Sequence, residues 1–208
     1  MDGPTADHPS LDPPALLAGY LRGWFPMDEV GATGPVRLYE ADPRAVMPVE
    51  GFRVPRSVAR GLRREGYAIR VDGDFEGVAQ ACAEYRDGVW LTPRLVRAYV
   101  ALHRAGHAHS VESWRDGMLC GGLFGVALGG LFSSESMFHR ASEAGNAALV
   151  GAAALLAHLG VVLWDVQMTS DHTARFGARD ISAREYRRLL GAALAHPPVN
   201  WSAEAARG

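Results

Sequence analysis

Three strand-like runs follow one another between residues 109 and 136, in HSVESWRDGMLCGGLFGVALGGLFSSES. Asp116-Gly117 and Gly129-Gly130 separate them. Both dipeptides tolerate positive φ, which two-residue hairpin turns demand, so the stretch predicts a three-stranded antiparallel meander. A fold containing this meander is built around a sheet, and the rest of the chain must cover it.

The flanking segments supply the cover. Residues 13–27 begin with two prolines and carry glycine near the end of a short helix. Residues 55–66 form a helix that Gly66 ends. A strand over YAIRVD precedes a helix capped by Asp74. Residues 92–106 carry Thr92 as N-cap, Pro93 at the first helical position and Gly106 beyond the end. After the meander come a helix over 144–159, a buried strand VVLWDVQ and a last helix capped by Ser182. VRLYEADPRAVMPV predicts two short strands around Asp42-Pro43, and residues 1–12 read as a mobile tail. The expected fold is α+β, with a mostly antiparallel central sheet.

With 208 residues, 48% of them hydrophobic, and a net charge of −2, the chain can bury one main core plus a small extra one. The expected division is a small N-terminal domain over 1–50 and a larger domain over 51–208. All 21 basic residues are arginine. Cys82 and Cys120 stand 38 positions apart with no metal-ligand spacing around them, so no metal site is expected. The N-terminus lacks a basic-then-apolar leader, and no apolar run reaches the roughly 18 residues of a membrane span. The expected location is the cytoplasm.

Four groups of residues offer chemistry. Glu135 stands between serines and ahead of Met137 and Phe138. It is either a solvated strand end or an acidic pocket for a cationic group. Asp165 and Gln167, two apart on a strand, are expected on the same side, where a polar pair needs partners. Gln167 can accept one hydrogen bond, and Asp165 can orient and polarise it. Arg56, Arg60, Arg63 and Arg64 form one helical stripe, either a solvated face or a phosphate-contacting surface. Trp24, Phe25, Tyr39 and Trp90 are core aromatics or stacking platforms. Asp171 and His172 read as a loop.

The order of YLRGWFP, DPRAV, GVWLTPRLVRAYVALHRAGHAHSVESW, GGLFGVALGGLFSSESMFHR and WDVQMTSDHTARFGARDISAREY resembles the leucyl/phenylalanyl-tRNA–protein transferases over residues 15 to 201. The resemblance implies a small N-terminal domain on a domain resembling the Gcn5-related acetyltransferases, with no metal or cofactor, as a monomer. It implies transfer of leucine or phenylalanine, with methionine a third candidate, from Leu-tRNA or Phe-tRNA. The acceptor is the N-terminal arginine or lysine of a protein, which becomes marked for degradation through the N-degron pathway. Residue by residue, Glu135 matches the acidic residue that receives the acceptor's cation, and Gln167 the glutamine at the reacting centre. Asp165 matches the aspartate that polarises Gln167, and Trp90 a tryptophan near the terminal adenosine. Phe132, Ser136 and Met137 are expected in the aminoacyl pocket, and the arginine helix on tRNA phosphates. The chain departs from the pattern at Met27, where an aromatic is usual beside the adenosine, and at Ser134, where glycine is common. Val166 replaces a frequent cysteine and is expected to face away, and Asn146 replaces a lysine.

Three rival readings are a related aminoacyl-tRNA-dependent transferase of other specificity, a non-catalytic binder of aminoacyl-tRNA or N-degrons, and an acetyl-CoA-dependent acetyltransferase. For the last, residues 63–68 and 188–193 fit the pyrophosphate-loop pattern, but one runs from helix into strand and the other lies within a helix.

Overall fold

The computed structural model describes residues 6–8, 10–29, 31, 33–85 and 90–201. A small three-stranded sheet holds β1 (Ala6–His8), β2 (Phe25–Met27) and β3 (Val36–Tyr39), with α1 (Pro13–Tyr20) between β1 and β2. Residues 6–8 fall in the expected mobile tail. They pair instead with residues 36–38, because β3 otherwise presents an open edge of backbone donors and acceptors. Asp12 then caps α1, its Oδ1 accepting from Ala15 N at 2.9 Å.

The main sheet has seven strands. They are β4 (Arg44–Met47), β5 (Ala68–Val71), β6 (Ala108–Arg115), β7 (Met118–Leu128), β8 (Leu131–His139), β9 (Leu163–Gln167) and β10 (Arg179–Ile181), in the order β10-β4-β9-β8-β7-β6-β5. Every neighbouring pair is antiparallel except β8 with β9. The expected meander is β6-β7-β8. Its first turn uses positive φ at both Asp116 (54°) and Gly117 (73°), the conformation that matches the twist of the flanking strands. The strands on either side of Asp42-Pro43 join different sheets. Residues 44–47, on the N-terminal side of position 50, lie inside the large sheet. All four are buried, and one of them is an arginine, so this strand needs an acid deep in the large sheet.

Helices α2 (Arg56–Glu65), α3 (Phe75–Tyr85), α4 (Pro93–Arg104), α5 (Ala144–Leu159), α6 (Asp171–Ala174) and α7 (Ala183–Ala195) cover the sheet. The caps at Asp74, Thr92 and Ser182 form as expected. Leu95, Tyr99, Leu102, Phe124 and Phe138 belong to one core, built with α3 and α4. Leu123, Phe132, Leu149, Leu156, Trp164 and Trp201 belong to a second, built with α5, and Val46, Leu131, Leu163, Tyr186 and Leu190 to a third, built with α7. Adjacent residues Leu123 and Phe124 thus enter opposite cores, as strand alternation requires.

Between β7 and β8 the register slips. Phe124 pairs with Ser136 and Gly125 with Ser134, leaving Glu135 as the extra residue of a β-bulge. Gly125 makes the bulge possible, since a Cβ there would stand 2.4 Å from Ser133 O and 2.7 Å from the Phe132 ring. Gly125→Val is expected to destabilise the fold by at least about 1–3 kcal/mol, the range for overpacking a core. An unchanged midpoint in denaturant unfolding would show that the bulge does not depend on this glycine.

Candidate active site

The bulge turns Glu135 into a cavity of about 720 Å³. Phe25, Met27 and Trp90 line one part of it, Leu123, Met137, Leu149 and Val166 give further apolar wall, and Ser136, Gln167 and His172 are among the polar lining. Met27 and Trp90 are tied together by Asp28. Its backbone N donates to Trp90 O at 3.2 Å, and its carboxylate accepts from the Thr92 hydroxyl and from Arg94 Nε (2.6 Å) and Nη2 (2.5 Å). Burial pushes Asp28 up, but Arg94 and Thr92 outweigh it and hold the carboxyl below its usual range.

Glu135 Oε2 accepts from the Tyr99 hydroxyl at 2.8 Å, and Tyr99 in turn lies 2.9 Å from the Tyr20 hydroxyl. Burial pushes both tyrosines well above their ordinary value, so they stay protonated and serve as donors. Glu135 Oε1 is buried without a partner. Burial raises the Glu135 carboxyl from 4.5 to about 7, against the Tyr99 and Tyr20 hydrogen bonds, and the Asp165 charge adds to the rise. A half-satisfied carboxylate facing an apolar cavity is poised to receive a cation.

Asp165 behaves in the opposite way. Arg44 grips it from two atoms, Nε to Oδ1 at 2.8 Å and Nη2 to Oδ2 at 2.5 Å, and the Tyr186 hydroxyl donates to Oδ2 at 2.8 Å. Burial pushes the Asp165 carboxyl up, but Arg44 outweighs it and the group stays ionised below its usual range. Asp165 does not line the cavity, but its carboxylate and the Gln167 amide meet at one atom, Ser133 Oγ, at 3.2 and 2.8 Å. A second bulge lies between the two residues. Val46 pairs with Asp165 and Ala45 with Gln167, so Val166 is the extra residue, and Gln167 takes φ 57°. Val166 consequently faces the cavity rather than away from it. Gln167 N donates to Asp165 Oδ1 at 3.0 Å, and its side-chain amide reaches Asp165 only through Ser133.

Among the expected pocket residues, Met27, Trp90, Ser136 and Met137 line the cavity with Glu135 and Gln167. Phe132 does not. Its ring is wholly buried in the core, 5.2 Å from the Trp201 ring. Ser134 lines the cavity while its hydroxyl accepts from Trp164 Nε1 at 2.8 Å. Asn146 and His172 form a polar wall with Glu143, with His172 Nε2 2.8 Å from Asn146 Oδ1 and Asn146 Nδ2 donating to Glu143 Oε2 at 2.7 Å. His172 sits not in a loop but on the short helix α6, capped by Ser170. Burial lowers the His172 pKa, with Arg175 and His139 adding to the effect, and favours the neutral ring. Arg56, Arg60, Arg63 and Arg64 lie on α2, outside the cavity lining. That helix packs Gly61 against Glu143, beside the cavity. Arg64 is shared with Glu65 at 2.9 Å, whereas Arg56, Arg60 and Arg63 have no ion pair among the described residues.

Arg44, Ser133, Tyr20, Tyr99 and Tyr186 were not assigned to the site by sequence reasoning. Arg44 lies within DPRAV and Ser133 close to Glu135, but nothing local marks their partners.

The leucyl/phenylalanyl-tRNA protein transferase family pattern matches residues 46–191. The chain belongs to this family. The leucyl/phenylalanyl-tRNA–protein transferase of Rubrobacter xylanophilus is 46% identical over 185 residues, covering 88% of this chain and 95% of that protein. The one from Herpetosiphon aurantiacus is 44% identical, with the same coverage of both chains. In fold, the transferase is similar to a GCN5-related glucosamine N-acetyltransferase region of a fungal multi-domain β-N-acetylglucosaminidase. The TM-score is 0.51 at 13% identity, over 85% of this chain and 23% of that one. In the transferase the two segments that fit the acetyl-CoA loop pattern lie at the C-terminal end of α2 and inside α7, neither of them a strand leading into a helix. No helix of the described residues is long and apolar enough to cross a membrane.

Proposed function

We propose that this transferase moves leucine or phenylalanine from its aminoacyl-tRNA to the N-terminal arginine or lysine of an acceptor protein, creating an N-degron. The observation that carries the reading is Glu135. It is a bulged carboxylate with one buried, unpartnered oxygen, in the same apolar cavity as Gln167. Such a group needs a cationic ligand, and an N-terminal arginine or lysine brings one.

The remaining roles follow the cavity. Met27 and Trp90 hold the terminal adenosine, by packing and by stacking. The leucine or phenylalanine side chain lies against Met137, Leu123, Leu149 and Val166, with Ser136 beside it. Arg56, Arg60, Arg63 and Arg64 meet tRNA phosphates, which position the acceptor end without reading its sequence. The acceptor's α-amine, freed of its extra proton, attacks the ester carbonyl. A C–N bond forms, the ester C–O bond breaks, and the ribose oxygen leaves as a hydroxyl after taking up the proton that the amine loses. Gln167 Oε1 accepts from the amine and orients it. The ester is already activated, so positioning supplies much of the acceleration.

The test is transfer of labelled leucine and phenylalanine from charged tRNA to two peptides differing only in their first residue, arginine or aspartate. Transfer to the arginine peptide alone is expected. Transfer to the aspartate peptide, or to neither, overturns the acceptor assignment.

A further inference from the structure

The two ends of the Gln167 amide are not equivalent to an attacking amine. A carbonyl accepts one of its N–H groups and leaves the nitrogen lone pair free for the ester carbon. An NH2 would compete for that lone pair. Which end faces the cavity is settled by the atoms behind it. Arg44 keeps Asp165 ionised, and an ionised carboxylate only accepts. Ser133 Oγ is 3.2 Å from Asp165 Oδ2 and 2.8 Å from the Gln167 side-chain nitrogen, and it is wholly buried. Its one proton goes to Asp165, and its oxygen is left to accept. Only the NH2 of Gln167 can satisfy it. With the amide reversed, Ser133 would face two acceptors with a single proton, and its oxygen would stand against either Asp165 Oδ2 at 3.2 Å or the amide oxygen at 2.8 Å with no proton between them. The amide orientation therefore follows from the count of donors.

We infer that Ser133 is a positioning residue of the transferase, holding the Gln167 amide with its carbonyl oxygen toward the acceptor's α-amine. The inference rests on the proposed meeting of Gln167 with that amine. Ser133 touches neither substrate; it acts through Gln167, and its own polarity is set by the Arg44–Asp165 pair.

The experiment is a double-mutant cycle with Ser133→Ala, Gln167→Ala and the double variant, in transfer of leucine to an arginine-initiated peptide. Ser133→Cys, close in size, is the second variant should Ser133→Ala fail to fold. Loss of one buried hydrogen-bonding group predicts a roughly tenfold lower kcat for Ser133→Ala, with KM for aminoacyl-tRNA unchanged. The double variant is expected to be no slower than Gln167→Ala, because residues acting as a unit are not additive. A slow Gln167→Ala beside a Ser133→Ala of wild-type kcat overturns the role of Ser133 and leaves that of Gln167. Additive losses, a loss carried by KM, or a lowered melting midpoint without loss of kcat also overturn the role of Ser133. Wild-type kcat in both single variants overturns the two roles together.

Discussion

Arg44→Met is expected to destabilise the folded protein by about 3–5 kcal/mol, the range for breaking a buried ion pair from one side. That is a large part of the roughly 5–15 kcal/mol that holds a typical protein together. The Arg44 and Asp165 side chains are 1% and 0% exposed. The guanidinium also donates from Nη1 to Gly23 O at 2.8 Å and lies over the Tyr186 ring at 4.3 Å and the Phe25 ring at 4.9 Å. One side chain thus joins β4 and β9 to α7 and to the segment between α1 and β2. Methionine fills much of the space but strands a carboxylate in the core.

The pH dependence gives a second readout. In the wild type the Asp165 carboxyl lies below its usual range, so its contribution is present above the ordinary carboxylate pKa and is lost as pH falls through the native value. Without Arg44, only the hydrogen bonds from Gln167 N, Tyr186 and Ser133 oppose the upward push of burial, so the carboxyl rises and the native state of the variant binds a proton more readily than that of the wild type. The deficit of Arg44→Met should shrink on acidification from pH 7 to 5, and Asp165→Asn added to it should recover part of the loss. Urea unfolding of the three proteins at both pH values is the measurement. A single variant as stable as the wild type at pH 7 would mean that the pair contributes nothing net.

Glu135→Gln is expected to lose about 10²–10³-fold in kcat/KM for an arginine-initiated acceptor, as when one partner of a buried charge pair is removed at about 2–5 kcal/mol. It should at the same time make the free protein more stable above neutral pH. The wild-type carboxyl is raised from 4.5 to about 7, so the native state holds a proton that the unfolded chain has released across that interval. Its contribution is full below about 4.5 and is lost as pH climbs through 7. At about 1.4 kcal/mol per pH unit, that loss amounts to about 3 kcal/mol. Glutamine at this position has no proton to release. Thermal unfolding from pH 5 to 8 should therefore fall less steeply for the variant, and acceptor KM should lose the part of its pH dependence that centres near 7. Glutamine that transfers at the wild-type rate would remove Glu135 from acceptor recognition.

Helix ends and the meander were legible because their signals are local. Thr92 and Ser182 cap helices through their own hydroxyls, and Asp116-Gly117 turns the chain within two residues. The candidate site was legible only as a set of residue types. Asp165 and Gln167 look like direct partners, yet across the bulge at Val166 their side chains meet only through Ser133, more than thirty positions away. Bulges leave little local trace, since they depend on how the opposing strand is registered. The family resemblance put Phe132 in the pocket. Which side of β8 it takes is set by the packing of Trp201 behind the sheet.

The sequence by itself determined the strand and helix inventory around the meander, the family, and the presence of one carboxylate amid apolar residues. Those properties reside in neighbouring residues and in their order. Only the tertiary structure decided that Glu135 holds one buried oxygen without a hydrogen-bond partner, that Arg44 keeps Asp165 charged from 121 residues away, and that Ser133 faces both Asp165 and Gln167. Charge state and hydrogen-bond polarity depend on what surrounds a group, and those surroundings exist only once distant strands have paired.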